Sequence, residues 1–300
     1  MAALRPARQR PVDLAMTGGA QALDQEALLP AVRDAVRAAG RIALGDFGRP
    51  GRSWEKSPGQ LVTETDLAIN RHLHAALGAL LPVAAWLSEE SVDDGRRHDA
   101  DLVWVIDPID GTRSFAAGKP EFTISVALVA GEQPVLASLL NPATGEHFEA
   151  LAGRGATLNG RALTVREPAP GAPARIVLSA GERRTRDFQA MLPEAGLSTI
   201  GSLAYKMALV AAGRFDAYFS WRYSHDWDIA AAMLVLAEAG GMVSDRSGGA
   251  LLLNRPAPRH AGLLAAPPFL HRDLVARSLR ALASVAGPDG TVLPTATRAG

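Results

Sequence analysis

The 300-residue chain contains no cysteine, and this absence removes several kinds of chemistry at once. Without a thiol there is no disulfide, no thiolate nucleophile and no zinc site built on sulfur. A cysteine-free chain suits a reducing compartment, so we expect a cytoplasmic protein. The formal net charge is zero, with 31 basic and 31 acidic residues. No overall field therefore draws the chain to a nucleic-acid polymer or an acidic membrane.

Long apolar runs are missing as well. No stretch reaches membrane-spanning length, and the first two dozen residues lack the continuous apolar segment of a signal peptide. They are interrupted by Arg, Pro and Gly, and we expect residues 1–25 to form a disordered tail, with an arginine-rich targeting arm as the alternative. The composition, 48% apolar and 21% charged, is that of an ordinary globular protein.

Several familiar catalytic motifs are absent too. The sequence has no Gly-x-Ser-x-Gly elbow, and "GRGATLNG" (residues 153–160) lacks the Gly-Lys-Ser/Thr of a P-loop and is typical of a β-turn. The seven histidines do not cluster at ligand spacing. His225, three residues before Asp228, lines a pocket mouth or has a structural role. Carboxylates remain as the main candidates for chemistry.

Hydrophobic periodicity divides the chain into two halves. Residues 26–165 begin with two predicted helices (28–43 and 66–81), followed by strand-like runs that suggest a mostly antiparallel sheet. A Pro/Ala-rich linker (166–174) leads to residues 175–287, where strands alternate with helices around Asp187, over 202–212, over 227–241 and over 269–285. We predict an N-terminal α+β half, a C-terminal α/β half and a second tail over residues 288–300.

One motif stands out at the end of a predicted buried strand, "WVIDPIDGTRSF" (residues 104–115). Asp107 and Asp110 would lie at one rim of a sheet, and Gly111 would let the backbone approach a ligand closely. A helix beginning near Thr112 would add an anion site. Divalent metal ions between the carboxylates and a phosphate explain this combination; Asx turns, in which the aspartates cap backbone N–H groups, are the alternative.

Three further acidic segments each have an ordinary explanation when taken alone. Glu89 in "LSEES" is typical of a solvated pair of glutamates. In "LVTETD", Thr65 or Asp66 is a candidate N-cap for the second helix, and Asp228 in "HDWDIAAAMLVLAEAGG" is a candidate cap of another.

Taken together, the four segments resemble the inositol monophosphatase-like family of metal-dependent, lithium-sensitive phosphatases. That family includes inositol monophosphatases, fructose-1,6-bisphosphatases and 3'(2'),5'-bisphosphate nucleotidases. The patterns Asp-Pro-x-Asp-Gly-Thr-x-x-Phe and Trp-Asp-x-Ala-Ala, with a later Ala-Gly-Gly, are both complete. The resemblance covers about residues 28–285 and implies a layered αβαβα sugar-phosphatase fold, Mg²⁺-dependent hydrolysis of a small phosphate ester, and a homodimer.

The resemblance also implies a set of metal ligands. Glu89, Asp107 and the carbonyl of Ile109 would hold one Mg²⁺. Asp107, Asp110 and Asp228 would hold a second, and Glu89 with waters a weaker third. Ligation by oxygen alone is what Mg²⁺ prefers.

The catalytic residues implied by the resemblance are Asp66, Thr112 and Glu89. Asp66 and Thr112 would polarise the attacking water, and the N–H groups of Gly111 and Thr112 would cradle the phosphate. Lys56 matches a lysine near the family's site, although the segment before Asp66 is one residue shorter here.

For the substrate, the sequence departs from the inositol enzymes. Their glutamate seven or eight residues before the Trp-Asp aspartate is replaced by Trp221 or Ser220, and Arg222 follows. An indole and a guanidinium suit a flat base and a second phosphate. Arg113 and the "LSEE" segment also resemble the bisphosphate nucleotidase branch, and Ser202 is expected to line the substrate site.

We therefore predict hydrolysis of 3'-phosphoadenosine 5'-phosphate, a by-product of sulfate assimilation, to AMP and phosphate. Inositol monophosphatase or fructose-1,6-bisphosphatase activity is the alternative, and Trp221 would then pack in the core or at a subunit interface. A relative that binds metal and phosphate without catalysis is a third possibility.

Overall fold

The computed structural model describes residues 24–49, 51–169, 171–185 and 188–285. Most of the first predicted tail, the whole of the second, and the predicted helix centre at Asp187 lie outside these residues. Within them, none of the helices combines the length and the apolarity needed to cross a bilayer.

The helices of the described residues are α1 Gln25–Asp46, α2 Glu64–Leu80, α3 Thr112–Ala116, α4 Ala180–Thr185, α5 Phe188–Met191, α6 Leu203–Ala211, α7 Asp226–Glu238 and α8 Pro268–Val285. The strands are β1 Ser53–Ser57, β2 Gln60–Thr63, β3 Ala85–Ser88, β4 Leu102–Asp110, β5 Thr123–Ala130, β6 Gln133–Asn141, β7 Glu146–Leu151, β8 Gly155–Leu158, β9 Arg161–Ala162, β10 Arg175–Leu178, β11 Gly196–Thr199, β12 Ala217–His225, β13 Met242–Ser244 and β14 Arg259–Ala266.

Two large sheets follow one another along the chain. The first has seven strands in the order β3 to β9, of which β3 and β4 are parallel and the later neighbours antiparallel. The second has five strands in the order β11-β10-β12-β14-β13. Strand β10 is parallel to β11 and β12, and β14 is antiparallel to β12 and β13. The mostly antiparallel N-terminal sheet and the C-terminal α/β half are therefore confirmed, and the C-terminal sheet is mixed.

Helices and sheets alternate in five layers. α1 and α2 cover one face of the seven-stranded sheet, and α6 and α7 pack between the two sheets. α5 and α8 cover the outer face of the five-stranded sheet. The expected αβαβα order is confirmed. The division of the chain into halves at about residue 165 stays a prediction.

Strand β4 shows why these layers form. Val103 and Val105 pack toward α6 and α7, while Trp104 and Ile106 pack toward α1 and α2. Side chains alternate between the two faces of a strand, so a strand covered on both faces needs an unbroken apolar sequence. α7 lies between two sheets, and its middle is apolar on all sides for the same reason.

Three local boundaries differ from the sequence prediction. α2 begins at Glu64, and its N-cap is Thr63, so the choice of Thr65 or Asp66 as the cap was wrong. The run "LVWVI" (102–106) predicts a strand that ends at Ile106, but β4 continues through Asp110. The run "FDAYFS" (215–220) predicts a strand that ends at Ser220, but β12 continues through residues 221–225.

Candidate active site

An irregularity in β4 brings two aspartates to one point. In a regular strand, residues three apart point to opposite faces. The pairing of β4 with β5 shifts between Asp107 and Asp110, which breaks that alternation around Pro108. Oxygens of both side chains then lie within 4.8 Å of each other and of an oxygen of Asp228. We call Asp107, Asp110 and Asp228 the acidic cluster.

Each carboxylate of the acidic cluster is held by hydrogen bonds from the backbone. Asp107 Oδ1 accepts from the N–H of Ile109 at 3.0 Å, which is the Asx-turn contact. Asp110 Oδ2 accepts from the N–H of Ala204 at 2.6 Å, and Asp228 Oδ2 accepts from the N–H of His225 at 2.6 Å. The turn and capping roles therefore coexist with the cluster, because a carboxylate accepts several hydrogen bonds.

Glu89 reaches the same edge from the neighbouring strand. β3 and β4 are parallel, so their carboxyl ends meet at one edge of the sheet, and Glu89 N–H donates to Ile106 O at 3.2 Å. Lys56 on β1 lies beside it, with Nζ 3.2 Å from Glu89 Oε1 and 2.5 Å from Glu90 Oε1. Burial opposes the charge on Lys56, but the two glutamates leave its pKa raised.

The electrostatics of the site favour a bound cation. Burial raises the pKa of Asp107 well above its usual range, and the nearby charges of Glu89, Asp110 and Asp228 add to the effect. Burial, followed by the charge of Asp228, raises the pKa of Asp110. Burial raises the pKa of Glu89 to about 7, although Lys56 opposes the shift. Anions packed so closely repel one another, and a divalent ion between them would remove that penalty.

Beside the cluster, Asp66 and Thr112 form the expected pair. Thr112 Oγ1 lies 3.2 Å from Asp66 Oδ1 and 3.0 Å from the carbonyl of Ile109. Asp66 also closes the capping box of α2, accepting from Thr63 N–H at 2.9 Å and from the Thr63 hydroxyl. Burial raises the pKa of Asp66 to about 6, although the Thr63 hydrogen bonds oppose the shift.

Gly111 occupies a position that only glycine fits. Its φ is +99°, and a Cβ there would lie 2.7 Å from the carbonyl oxygen of Glu121. Ser202, the N-cap of α6, closes the same corner: its hydroxyl donates to Asp110 Oδ2 at 2.6 Å. The hydroxyl of Ser202 therefore holds the carboxylate of Asp110 in place. Ser202 also borders the cleft.

The site opens into a cleft of about 750 Å³. Of the predicted site residues, the cleft lining includes Glu89, Asp107, Ile109, Asp110, Gly111, Thr112, Ser202, Arg222 and Asp228. Four cationic side chains also border it, and we call them the cationic lining: Arg113, Lys119, Lys206 and Arg222. Asp66 reaches the cleft through its hydrogen bond with Thr112.

Trp221, predicted to stack on a substrate base, is not in this lining. Its indole is 8% exposed and packs with Phe219 in the cluster under α5 and α8. The pairing of β12 with β14 shifts between Ser220 and Tyr223, and at this irregularity Trp221 packs with Phe219 while Arg222 borders the cleft. The prediction that Trp221 binds substrate was wrong, and the core-packing alternative describes its position.

Sequence reasoning also missed two buried charges near the cleft. Lys206 on α6 is buried and donates to Ile200 O at 3.2 Å and Ser179 Oγ at 3.3 Å, while burial lowers its pKa to about 8. Glu182 Oε1 accepts from Ser220 Oγ and Trp221 N–H at 2.8 Å. A lone lysine inside the apolar helix "LAYKMALVA" was the available signal for Lys206. Glu182 had none, because its partners lie about forty residues later.

Of the two roles considered for His225, at the pocket mouth or in the structure, its contacts support the structural one. Its ring stacks on Trp227 at 4.6 Å between centroids, and its backbone N–H is the donor that holds Asp228.

The fold and this acidic cleft are those of a metal-dependent phosphatase. A model of the inositol monophosphatase family matches residues 24–284. The chain is 36% identical over 239 residues to the inositol monophosphatase of Dictyostelium discoideum, covering 76% of this chain and 87% of that protein. It is 37% identical over 209 residues to the Nus factor SuhB of Pseudomonas aeruginosa, covering 65% and 75%. The chain belongs to the inositol monophosphatase family.

Solved structures agree with this assignment. The IMPase of Thermotoga maritima superposes with a TM-score of 0.75 at 29% sequence identity, covering 86% of this chain and 99% of that one. The SuhB protein of Bartonella henselae also superposes with a TM-score of 0.75, at 27% identity. The resemblance found in the sequence is confirmed at the level of the family. The names of these relatives favour the inositol alternative over the predicted bisphosphate nucleotidase.

Proposed function

We propose that the chain is a Mg²⁺-dependent phosphomonoesterase acting on a small polyol phosphate such as inositol 1-phosphate. The observation that carries the proposal is the meeting of the acidic cluster with the Asp66–Thr112 pair in one cleft. Each part alone has a structural explanation. Together they supply the cation sites and the water-orienting group that phosphate ester hydrolysis requires.

The residues present fit magnesium. The donors are carboxylates and, at Ile109, a carbonyl, and Mg²⁺ prefers oxygen ligands with open positions for water. In the proposal, Glu89, Asp107 and Ile109 hold one ion, and Asp107, Asp110 and Asp228 hold a second, with Glu89 available to a third. When bound, the ions neutralise charge on the phosphoryl oxygens and make water more acidic.

Asp66 and Thr112 prepare the nucleophile. Thr112 has a single hydroxyl proton to donate, and its Oγ1 lies 3.0 Å from the Ile109 carbonyl and 3.2 Å from Asp66 Oδ1. With the Ile109 carbonyl engaged by a metal ion, Asp66 would be the acceptor. The free lone pairs of Thr112 Oγ1 then accept a hydrogen bond from a water and orient it toward phosphorus. As the new P–O bond forms and the bond to the alcohol breaks, the water gives a proton to Thr112 Oγ1, the hydroxyl proton of Thr112 passes to Asp66, and the alcohol oxygen takes a proton from solvent.

Gly111 and Thr112 complete the phosphate site in this proposal. Their backbone N–H groups would donate to phosphoryl oxygens, and the absence of a side chain on Gly111 leaves room for that approach.

Bisphosphate nucleotidase activity is the second candidate function, because the cationic lining borders the cleft. Arg113, Lys119 and Arg222 border the cleft together with the acidic cluster, and guanidinium groups bind phosphate in a bidentate manner. A substrate with a second phosphate, such as 3'-phosphoadenosine 5'-phosphate, would use them. The stacking argument for the base no longer supports this candidate, since Trp221 lies in the core.

A phosphate-release assay decides between the candidates. The purified chain is tested with Mg²⁺ on inositol 1-phosphate, fructose 1,6-bisphosphate and 3'-phosphoadenosine 5'-phosphate, with EDTA as the metal-free control. We expect the highest kcat/KM for inositol 1-phosphate and no release in EDTA. A preference for the nucleotide would favour the second candidate. Failure with every ester in Mg²⁺ would favour the non-catalytic possibility.

Two further expectations from the sequence stay predictions. A homodimer is expected by resemblance to the family, and size-exclusion chromatography with light scattering would test it. A cytoplasmic location is expected from the absence of cysteine, and fractionation of cells that express the chain would test it.

A further inference from the structure

A hydrogen-bonded network outside the cleft joins two segments that carry proposed metal ligands. Its centre is Asp226, the fully buried first residue of α7, two residues before Asp228. Asp226 Oδ1 accepts from His260 Nε2 at 2.7 Å, and Asp226 Oδ2 accepts from the backbone N–H of Asn254 at 2.6 Å. The first turn of α7 is thus fixed from β14 and from the loop that precedes it.

The network extends to the other half of the chain through Arg97. This guanidinium is buried, and its Nη1 donates to Asn254 Oδ1 at 2.8 Å and to Arg255 O at 3.0 Å. In return, Asn254 Nδ2 donates to the carbonyl of Arg97 at 3.2 Å. Arg97 Nε also donates to Asp93 Oδ2 at 2.9 Å. We call Arg97, Asn254, Asp226 and His260 the Asp226 network.

The Asp226 network contains residues of the two segments that carry the proposed metal ligands Glu89 and Asp228. Arg97 lies in the segment between β3 and β4 that begins with Glu89, and Asp226 lies in the turn that holds Asp228. Glu89 directly follows β3 and Asp228 lies in α7, yet both are proposed to ligate ions that share Asp107. Ligands on separate elements need their spacing fixed by other contacts, and hydrogen bonds behind a ligand supply that in metal sites.

Stability alone is a weak reason to bury such a network. Removing an arginine and an aspartate from water is expensive, and apolar packing of the same volume is often as stable. A directional role explains the choice of residues better, because a fork of N–H donors and a carboxylate fix distances that apolar contacts leave loose.

We propose that Asp226 is a positioning residue, acting through Asn254 and Arg97, that sets the spacing between Glu89 and Asp228 and thereby the affinity of the site for a divalent cation. The proposal rests on the metal ligands of the proposed function.

The test is a calorimetric titration of metal-free protein with Mg²⁺, which does not depend on activity. Asp226→Asn keeps the shape of the side chain but replaces one carboxylate oxygen with an NH₂ group. That donor then faces the N–H of Asn254 or the ring of His260, and one of the two hydrogen bonds is lost. We expect Mg²⁺ to bind roughly tenfold or more weakly, the range found for residues behind metal ligands. Asp216→Asn is the matched control: Asp216 is also buried and accepts from a backbone N–H (Arg175, 2.7 Å) and from a side chain. It should lower the melting temperature and leave Mg²⁺ affinity unchanged.

If Asp226→Asn does not fold, His260→Gln replaces it, since glutamine retains an N–H donor at a displaced position; a weaker but measurable loss of Mg²⁺ affinity is expected. Unchanged Mg²⁺ affinity in the folded variant, or an equal loss in Asp216→Asn, overturns the positioning role. Asp228→Asn separates the two proposals. If it binds Mg²⁺ as well as the wild type, the metal assignment itself fails, whatever Asp226 does.

Discussion

The acidic cluster and residues 220–222 of β12 were both predicted to form the site, and only the first does so as a unit. Asp107, Asp110 and Asp228 meet within 4.8 Å. In β12, Arg222 borders the cleft, while Trp221 faces the core with Phe219.

The difference lies in how each region is held. Asp107 and Asp228 accept a backbone N–H from within their own turns, so short motifs carry much of their geometry, while Asp110 is held by Ala204 at the start of α6. Residues 220–222 lie where the pairing of β12 with β14 shifts, between Ser220 and Tyr223, and which side chain faces the cleft depends on that shift and on the layers packed against β12. A motif predicts a site well where the backbone around it is self-supporting, and poorly where a neighbouring layer decides.

The strongest test of the cluster is Asp107→Asn. Asp107 is proposed to bridge two ions, so loss of its charge should lower kcat by roughly 10³-fold or more, beyond the 10²–10³-fold effect of removing a single catalytic hydrogen-bond donor. Phosphate release at saturating Mg²⁺ measures it, with circular dichroism to confirm folding. Asp245→Asn, in a turn of the 245–249 segment, should leave activity unchanged. Near-wild-type turnover in Asp107→Asn would remove the metal assignment.

For β12, Trp221→Ala should act on stability and not on substrate choice. Truncating a buried aromatic side chain costs about 3–5 kcal/mol in the free energy of unfolding, and urea denaturation would show it. Relative kcat/KM values for inositol 1-phosphate and 3'-phosphoadenosine 5'-phosphate should stay the same. A loss of kcat/KM confined to the nucleotide would instead show that Trp221 contacts the substrate, and the contrast between β12 and the acidic cluster would disappear.

Thr112→Ala tests the water-orienting pair beside the cluster. We expect kcat to fall roughly 10²-fold, the low end for loss of a positioned proton-transfer group, with little change in KM. Thr112→Ser keeps the hydroxyl and should retain most of the rate. A change confined to KM would make Thr112 a phosphate-binding residue instead.

Arg222→Ala isolates the residue of β12 that does reach the cleft. If a second phosphate uses it, kcat/KM for 3'-phosphoadenosine 5'-phosphate should fall about tenfold, the equivalent of about 1.4 kcal/mol. Activity on inositol 1-phosphate should change little. Arg246→Ala is a control, since Arg246 lies over the Trp221 ring in the core region. Equal losses of kcat/KM with both substrates would show that Arg222 acts through its charge on either substrate and does not bind a second phosphate.

The smallest expected effect is on stability as a function of pH. The pKa values of Asp66 (about 6) and Glu89 (about 7) lie above their ordinary values of 3.8 and 4.5. Between these limits the folded protein holds protons that the unfolded chain has released, so these two carboxyls lower metal-free stability as pH rises from about 4.5 to 7. Burial lowers the pKa of His147 and His271 to about 4, and these histidines act in the opposite direction, so the carboxyl effect is measured as the difference between the wild type and Glu89→Gln. Relative to Glu89→Gln, the melting temperature of the wild type in EDTA should drop by a few degrees over this range, at roughly 2–4 °C for each kcal/mol. Mg²⁺ should reverse this trend, and a difference that does not change with pH would contradict the raised pKa of Glu89.

The sequence by itself determined the helices and strands of the two halves and the carboxylates of the site, while the five-layered order was implied by the resemblance to the family. Apolar runs such as that of β4 predict strands buried on both faces, and the motif around Asp107 and Asp110 predicts a rim of carboxylates beside Gly111. Periodicity and turn chemistry act between residues close in the chain, so short segments are enough to predict these features.

Only the tertiary structure decided the rest. The shift of register in β4 turned two aspartates to one side, and the layer of α5 and α8 drew Trp221 away from the cleft. Lys206 and Glu182 were brought to the site by elements far from the motifs. Such outcomes depend on which surfaces pack together, and a one-residue shift in the pairing register of a strand moves its side chains to the other face.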